Sequence, residues 1–273
     1  MRRRWRWLGV VGLVLALGHG LLILAKVPVA RPYDWLLNLG PAITAPEFAV
    51  PADGRRRLCV LVHGMFRTSA SLGRLERTLA AHGYATLAFD YPSNAAPLEA
   101  HAGRLRAALQ AAWQAQPWDE LYLVGHSMGG LVIHEYLRSP GAFEPSRCVH
   151  LAVPHRGAVL ADLRKRWFLF RWAMGDTGAL QLSPGDPFHR RPLVLPGAVG
   201  TLAGSIAPVL NGSAAIPGPD DGTVGVFEAR LEGATDHLQL PVGHTAITTD
   251  PAAIRAVLAF LRTGGFAAVR QIR

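Results

Sequence analysis

Hydrophobic positions along the chain fall into two alternating kinds of run. Residues 58–62 (LCVLV) are an unbroken apolar stretch that stops at His63-Gly64, the pattern of a strand buried on both faces. Residues 69–82 place Leu72, Leu75 and Leu79 at helical spacing before a Gly83 stop. Residues 84–89 predict a second strand ending at Asp90-Tyr91-Pro92, and alanine-rich 99–114 a second helix. Residues 121–124 predict a third strand, followed at once by Gly125-His126-Ser127-Met128-Gly129-Gly130 and a helix over 131–138. A fourth strand, 148–153, stops at Pro154; 199–207 and 238–240 predict two more, and 251–261 a closing helix. Strands alternating with helices at this pace predict the α/β class, a mostly parallel sheet with helices on both faces.

Two segments depart from the alternation. Between 163 and about 196 an apolar stripe of Leu163, Trp167, Phe170 and Met174 is interrupted by Phe168 and Trp172 on another side, among Arg164, Lys165 and Arg171, so this stretch predicts an inserted cap. At the N-terminus, basic residues 1–7 precede an apolar run over 8–25 that is broken only by glycines and His19, long enough to span a bilayer core. A signal peptide has a similar start, but its small-x-small cleavage site has no good match here, since Ile23 precedes Ala25 by two places and Pro28 precedes Ala30. A retained transmembrane helix is therefore expected, with a cleaved signal as the alternative. Arginines before the run outnumber the basic residues just after it, Lys26 and Arg31, which keeps the N-terminus in the cytoplasm and the rest outside it. Prolines at 32, 41, 46 and 51 predict an extended connector or edge strand next.

Composition adjusts this picture at two points. The net charge of +9 would suit nucleic acid, but Arg2, Arg3, Arg4 and Arg6 supply four of those charges within the first six residues. No basic run is interleaved with aromatics, so nucleic-acid binding is not expected. The two cysteines, Cys59 and Cys148, sit inside apolar runs and read as small core residues rather than a zinc site or disulfide framework.

The chemistry concentrates in Gly125-His126-Ser127-Met128-Gly129, a G-x-S-x-G pattern lying in a tight turn between a buried strand and a helix. In that setting a serine is held on a strained turn with its hydroxyl exposed, and the flanking glycines remove side chains that would block the turn. A serine hydroxyl is a weak nucleophile at neutral pH and needs a base, which in turn needs an orienting acid; the order in this architecture is Ser, acid, His. Among the downstream histidines, His244 follows the last strand, whereas His237 precedes it and falls at the wrong edge. Asp220-Asp221-Gly222 offers the acid: Asp221 is expected to hold His244 because Gly222 permits a sharp turn beneath it, leaving Asp220 as a solvated turn residue. Asp250 before Pro251 predicts a helix cap. An oxyanion hole needs two N–H donors, assigned to the backbone of Met65 and Met128, while His63 and Asp90 read as loop anchors.

From about residue 58 onward these motifs resemble bacterial lipases and esterases of the α/β-hydrolase superfamily. The resemblance rests on Val62-His63-Gly64-Met65, Asp90-Tyr91-Pro92-Ser93, the Ser127 pentapeptide, Val153-Pro154-His155-Arg156-Gly157, Asp221-Gly222-Thr223-Val224 and Gly243-His244-Thr245. The chain departs from many relatives at Val153-Pro154. The resemblance implies a serine hydrolase acting on acyl or lipid esters through Ser127, His244 and Asp221, with no metal or organic cofactor and no obligate protein partner. Trp167, Phe168, Phe170 and Trp172 are expected to form a lid. The expected organisation is an anchor over 1–27, a connector over 28–54 and a catalytic domain over 55–273 with a cap at about 160–197. That places a single-pass protein in the cytoplasmic membrane with its catalytic domain outside, or a secreted one if the segment is cleaved. A thioesterase or acyltransferase on membrane-derived chains is the main alternative, and a catalytically dead, membrane-tethered binding protein a further one.

Overall fold

Each short apolar run of the sequence becomes a strand in the computed structural model, which describes residues 38–167, 177–193, 195–206 and 213–270. The strands are β1 (Arg57–Val62), β2 (Ala85–Phe89), β3 (Glu120–His126), β4 (Arg147–Leu151), β5 (Ala198–Gly204) and β6 (Asp236–Leu240). They form one six-stranded sheet of order β2-β1-β3-β4-β5-β6, in which every pairing is parallel. The expectation of a mostly parallel sheet thus becomes a wholly parallel one among the described residues.

The period-two geometry of a strand sends alternate residues to opposite faces. Cys59 and Leu61 of β1, Tyr122 and Val124 of β3 and Leu202 of β5 share one core with Leu75 and Leu79 of helix α1 (Gly73–Ala81) and with Ile254, Val257 and Phe260 of α6 (Pro251–Thr263). Leu58, Val60 and Val62, together with Leu121 and Leu123, face a second core with Leu105 of α2 (Leu98–Ala115) and Leu131 of α3 (Met128–Arg138). Cys59 and Cys148 are buried and unpaired, one in each core. The remaining helices are short: α4 (Val159–Lys165), α5 (Gly178–Gln181) and α7 (Ala267–Arg270).

The departures from the sequence reading have local causes. The helix expected from residue 69 begins with a 3-10 turn, Ser69–Leu72, and the one expected from 131 begins three residues earlier, directly after Ser127. The strand expected to reach Val153 ends at Leu151, because Ala152 turns into positive φ (49°) and gives its N–H to Leu202 O. The last strand starts early enough to include His237, which hydrogen-bonds Thr201 of β5 and lies on the edge strand, separated from β3 by β4 and β5. The proline-rich stretch read as a connector is docked: Ala45, just before a 3-10 turn at Pro46–Phe48, and Phe48 at its end are buried in the first core.

In the expected cap, α4 buries Leu160 and Ala161 rather than the stripe begun by Leu163 and Trp167, which are 39% and 67% exposed. Phe168, Phe170, Trp172 and Met174 lie outside the described residues, as does the whole N-terminal apolar segment. Among the described residues no helix is long and apolar enough to cross a membrane.

Candidate active site

The C-terminal ends of β1, β3 and β4 carry the three non-glycine residues with positive φ among those described: Phe66, Ser127 and Ala152, at 58°, 53° and 49°. Such backbone costs of the order of 1–3 kcal/mol per residue and persists where its surroundings over-determine it. At Ser127 the restraints are visible. Its N–H donates to Leu151 O at the end of β4 (2.9 Å), and its carbonyl accepts the Gly130 N–H (3.0 Å) as α3 begins. The turn packs against the end of β1 so closely that a Cβ on Gly129 would lie 2.2 Å from the Val62 carbonyl oxygen. Backbone approach, not flexibility, dictates that glycine.

The structure brings Ser127, His244 and Asp221 together from three separate loops. His244 Nε2 stands 3.0 Å from Ser127 Oγ, and its Nδ1 stands 2.8 Å from Asp221 Oδ2. Asp221 is almost fully buried, and its other oxygen accepts the N–H groups of Thr223 (2.9 Å) and Val224 (2.7 Å). Gly222, at φ 92°, makes the turn that aims those donors back. The His244 N–H donates to Asp221 O, so the two residues are also joined through the backbone. Asp220 points elsewhere. Contrary to the expectation of a solvated residue it is buried, because it pairs with Gly225 in a small antiparallel bridge and accepts the Gly222 N–H.

Met65 follows β1 and Met128 opens α3. Their backbone N–H groups donate to no acceptor among the described residues. The Met128 N–H belongs to the first turn of a helix, where partial positive charge collects. The β1 loop abuts the serine: a Cβ on Gly64 would sit 3.0 Å from Ser127 Cβ. His63 is buried, stacked on Tyr91 with ring centroids 4.3 Å apart, and bonded to the Gly64 carbonyl and to Asp90. Asp90 also accepts the Ser69 N–H, and its hydrogen bond with His63 holds its carboxyl below the usual range. Both side chains brace the loop and lie away from the Ser127 hydroxyl's partners, while Asp250 caps α6 through the N–H groups of Ala252 and Ala253.

Two further residues position the site without standing out in the sequence. His126 Nε2 donates to the His244 carbonyl (2.9 Å), and burial, then the nearby His244, keeps its ring neutral by pushing its pKa well below 6.5. Glu228 is buried and accepts the N–H groups of Val159 and Gly225, tying the Asp221 loop to the start of α4; burial raises its pKa. His126 fills a variable position of the G-x-S-x-G pattern and Glu228 lies in none of the motifs; their roles arise from contacts between distant parts of the chain. Arg67, whose guanidinium reaches Thr245 Oγ1, links the β1 loop to the His244 loop.

A parallel sheet of this order, with a strained serine between the third strand and its helix and a histidine after the last strand, defines the α/β-hydrolase fold. Within that class, the chain belongs to the family described as "Domain of unknown function (DUF7379)", which matches residues 24–218. Its fold is similar to that of a Bacillus licheniformis lipase, BlEst2, in its mature form (TM-score 0.61, 22% identity, 81% of this chain and 98% of that one). It is also similar to phospholipase PlaB from Legionella pneumophila (TM-score 0.58, 16% identity, 79% and 62%). A metagenomic carboxyl esterase, MGS0156, gives a TM-score of 0.55 at 19% identity over 86% and 80%. At these identities the likeness is one of fold. No curated protein matches the sequence.

Proposed function

We propose that this protein hydrolyses carboxylic esters of acyl or lipid substrates through a covalent acyl-enzyme. The observation that carries the proposal is the hydrogen-bonded series Ser127 Oγ, His244 Nε2, His244 Nδ1, Asp221 Oδ2 at the strained turn after β3. His244 Nε2 takes the hydroxyl proton as Ser127 Oγ attacks the ester carbonyl carbon, and Asp221 holds the imidazole tautomer and offsets the imidazolium charge. The N–H groups of Met65 and Met128 receive the oxyanion. As the tetrahedral adduct collapses, the C–O bond to the alcohol breaks and His244 returns the proton to that alcohol. Water then attacks the acyl-serine by the same path, releasing the acid and restoring the hydroxyl. The names of the fold neighbours, a lipase, a phospholipase and a carboxyl esterase, support an ester substrate.

The exposed Trp167 and the basic Arg164, Lys165 and Arg166 beside it support a lid role for the 160–197 insertion, with Phe168, Phe170 and Trp172 as its other aromatic members. The charge asymmetry around residues 8–25 supports an anchor that holds the 55–273 domain on the extracytoplasmic side of the cytoplasmic membrane.

The decisive experiment is labelling with a fluorophosphonate probe together with a chain-length series of p-nitrophenyl esters. Wild-type protein labels at Ser127 and turns over esters; folded Ser127→Ala does neither, a loss on the order of 10⁴- to 10⁶-fold. Wild-type turnover by Ser127→Ala would end the reading. Faster turnover of acyl thioesters, or transfer to alcohols in preference to water, would redirect it to a thioesterase or acyltransferase. Absence of labelling in the folded wild type would redirect it to a binding protein.

A further inference from the structure

Three histidines that the proposed ester chemistry does not use meet in one buried place. His134 lies on α3, His150 on β4 and His155 in the loop after β4, and all three are buried. Their ring centroids stand 5.0, 4.9 and 5.0 Å apart, nearly an equilateral triangle. One nitrogen from each falls in a group whose members all lie within 4.8 Å of one another. His134 Nε2 and both ring nitrogens of His150 and His155 are buried with no protein hydrogen-bond partner.

An imidazole carries one donor and one acceptor, and leaving them unmatched in an apolar interior is costly. Five such nitrogens in one cluster are far from the usual few per hundred residues. The surroundings offer no relief. Cys148 and Val199 on the same face of the sheet are apolar in packing, and the His189 ring faces carbonyls instead, with Nε2 2.8 Å from that of Gln181 and Nδ1 3.3 Å from that of His155. No carboxylate forms a hydrogen bond or ion pair with any of the three among the described residues.

The geometry points to a transition-metal site of the zinc class held by His134, His150 and His155. Three imidazoles bound through nitrogen at about 2.0–2.1 Å in a tetrahedral arrangement have ring centroids roughly 5 Å apart, which is the observed spacing. The His134 and His155 rings lie within 18° of parallel, so binding requires one of them to turn until its lone pair meets the others at the metal. Buried imidazole without a counter-ion is neutral, the form that ligates a metal, and nitrogen ligands suit zinc, copper or nickel over calcium or magnesium. Three protein nitrogens leave a fourth position to a non-protein ligand.

The placement gives the site a structural task. His134 lies seven residues along from Ser127, a rise of about 10 Å on a helix, so the metal acts behind the serine and not on substrate. It fastens α3, which begins at Met128, to β4, whose Leu151 carbonyl holds the Ser127 N–H. The turn at Ser127 is thus clamped from both sides by one ion.

The test uses the full chain, stripped with a chelator and dialysed, then titrated with zinc chloride. One equivalent of zinc is expected per chain, with an upward shift in Tm as it binds, and Co(II) in its place is expected to give visible bands of a low-coordinate nitrogen site. His150→Ala and His134→Gln are expected to weaken zinc binding by on the order of tenfold or more and to abolish the shift. His101→Leu, at a buried histidine of α2 outside the cluster, is expected to bind zinc as the wild type does. Folded wild-type protein that binds no zinc, or whose Tm does not respond to it, would overturn the proposal even if every variant failed to fold. So would equal binding by the wild type and a folded His150→Ala.

Discussion

Asp220 and Asp221 are neighbours, both buried, and differ in what their oxygens meet. Asp221 gives one oxygen to two backbone N–H groups and the other to His244 Nδ1, whereas Asp220 serves only the Gly222 N–H among the bonds described. Asp221→Asn is therefore expected to lower kcat on the order of 10⁴-fold, because the amide offers His244 the wrong partner and the wrong tautomer follows. Asp220→Asn keeps an acceptor for Gly222 and should stay within a few-fold of wild type. Ester turnover of the two purified variants checks the assignment, and the reverse order would reassign the acid. The grouping of Ser127, Asp221 and His244 is legible in the sequence because each sits in a short loop pattern whose glycine has a steric reason, and because chain order restricts the choices. The roles of His126, Glu228 and the three-histidine cluster are not legible, since each depends on separate parts of the chain meeting in a buried space.

Strands and helices are legible for a different reason: a sheet covered on both faces requires continuous apolar runs, and helices laid against it require one stripe. Their ends are harder, because they depend on a single backbone turn, as at Ala152, or on a 3-10 start, as at Ser69. The same local logic predicts opposite outcomes for two helical glycines. Gly103 on α2 has open space around a would-be Cβ, so Gly103→Ala should stabilise the protein by about 1 kcal/mol through helix propensity. Gly129→Ala would drive a methyl to 2.2 Å from the Val62 carbonyl oxygen, and should destabilise by roughly 1–3 kcal/mol while displacing Ser127. Urea midpoints of the two variants, which must move in opposite directions, test the argument. The lid belongs to the same scale. Trp167→Ser should depress turnover of long-chain esters well beyond that of an acetate ester, since a ring contacting the chain contributes about 1.5–3 kcal/mol that a two-carbon acyl group never draws on. Equal losses on both esters with a lowered Tm would assign Trp167 to packing instead.

At the scale of the whole molecule, the stretch read as a connector shows what patterning cannot supply: prolines argue against a helix there, but nothing in the composition reveals that Ala45 and Phe48 are docked in the core beside α6. The segment before it carries the localisation proposal. Full-length protein should stay with membranes after a carbonate wash, and a C-terminal reporter should be active outside the cytoplasm; a soluble product shortened by about 25–30 residues would show cleavage instead. Stability should also depend on pH through buried histidines. His101 is fully buried against Tyr91, and burial pushes its pKa down from 6.5 to about 4. Above pH 6.5 the ring is neutral whether the chain is folded or not, and its contribution is constant. Between 6.5 and about 4 the unfolded chain binds a proton that the folded one refuses, so stability falls as the pH falls, by up to about 1.4 kcal/mol per pH unit for this group. Below about 4 the folded protein takes the proton too and the loss levels off. His126, also buried with a depressed pKa, adds to the slope in the same direction. Urea unfolding between pH 7.5 and 4 in the presence of a chelator should therefore show a steeper loss for wild type than for His101→Leu, whatever the offset between them at pH 7.5. Parallel curves would mean that the His101 ring is protonated in the folded protein as readily as in the unfolded chain.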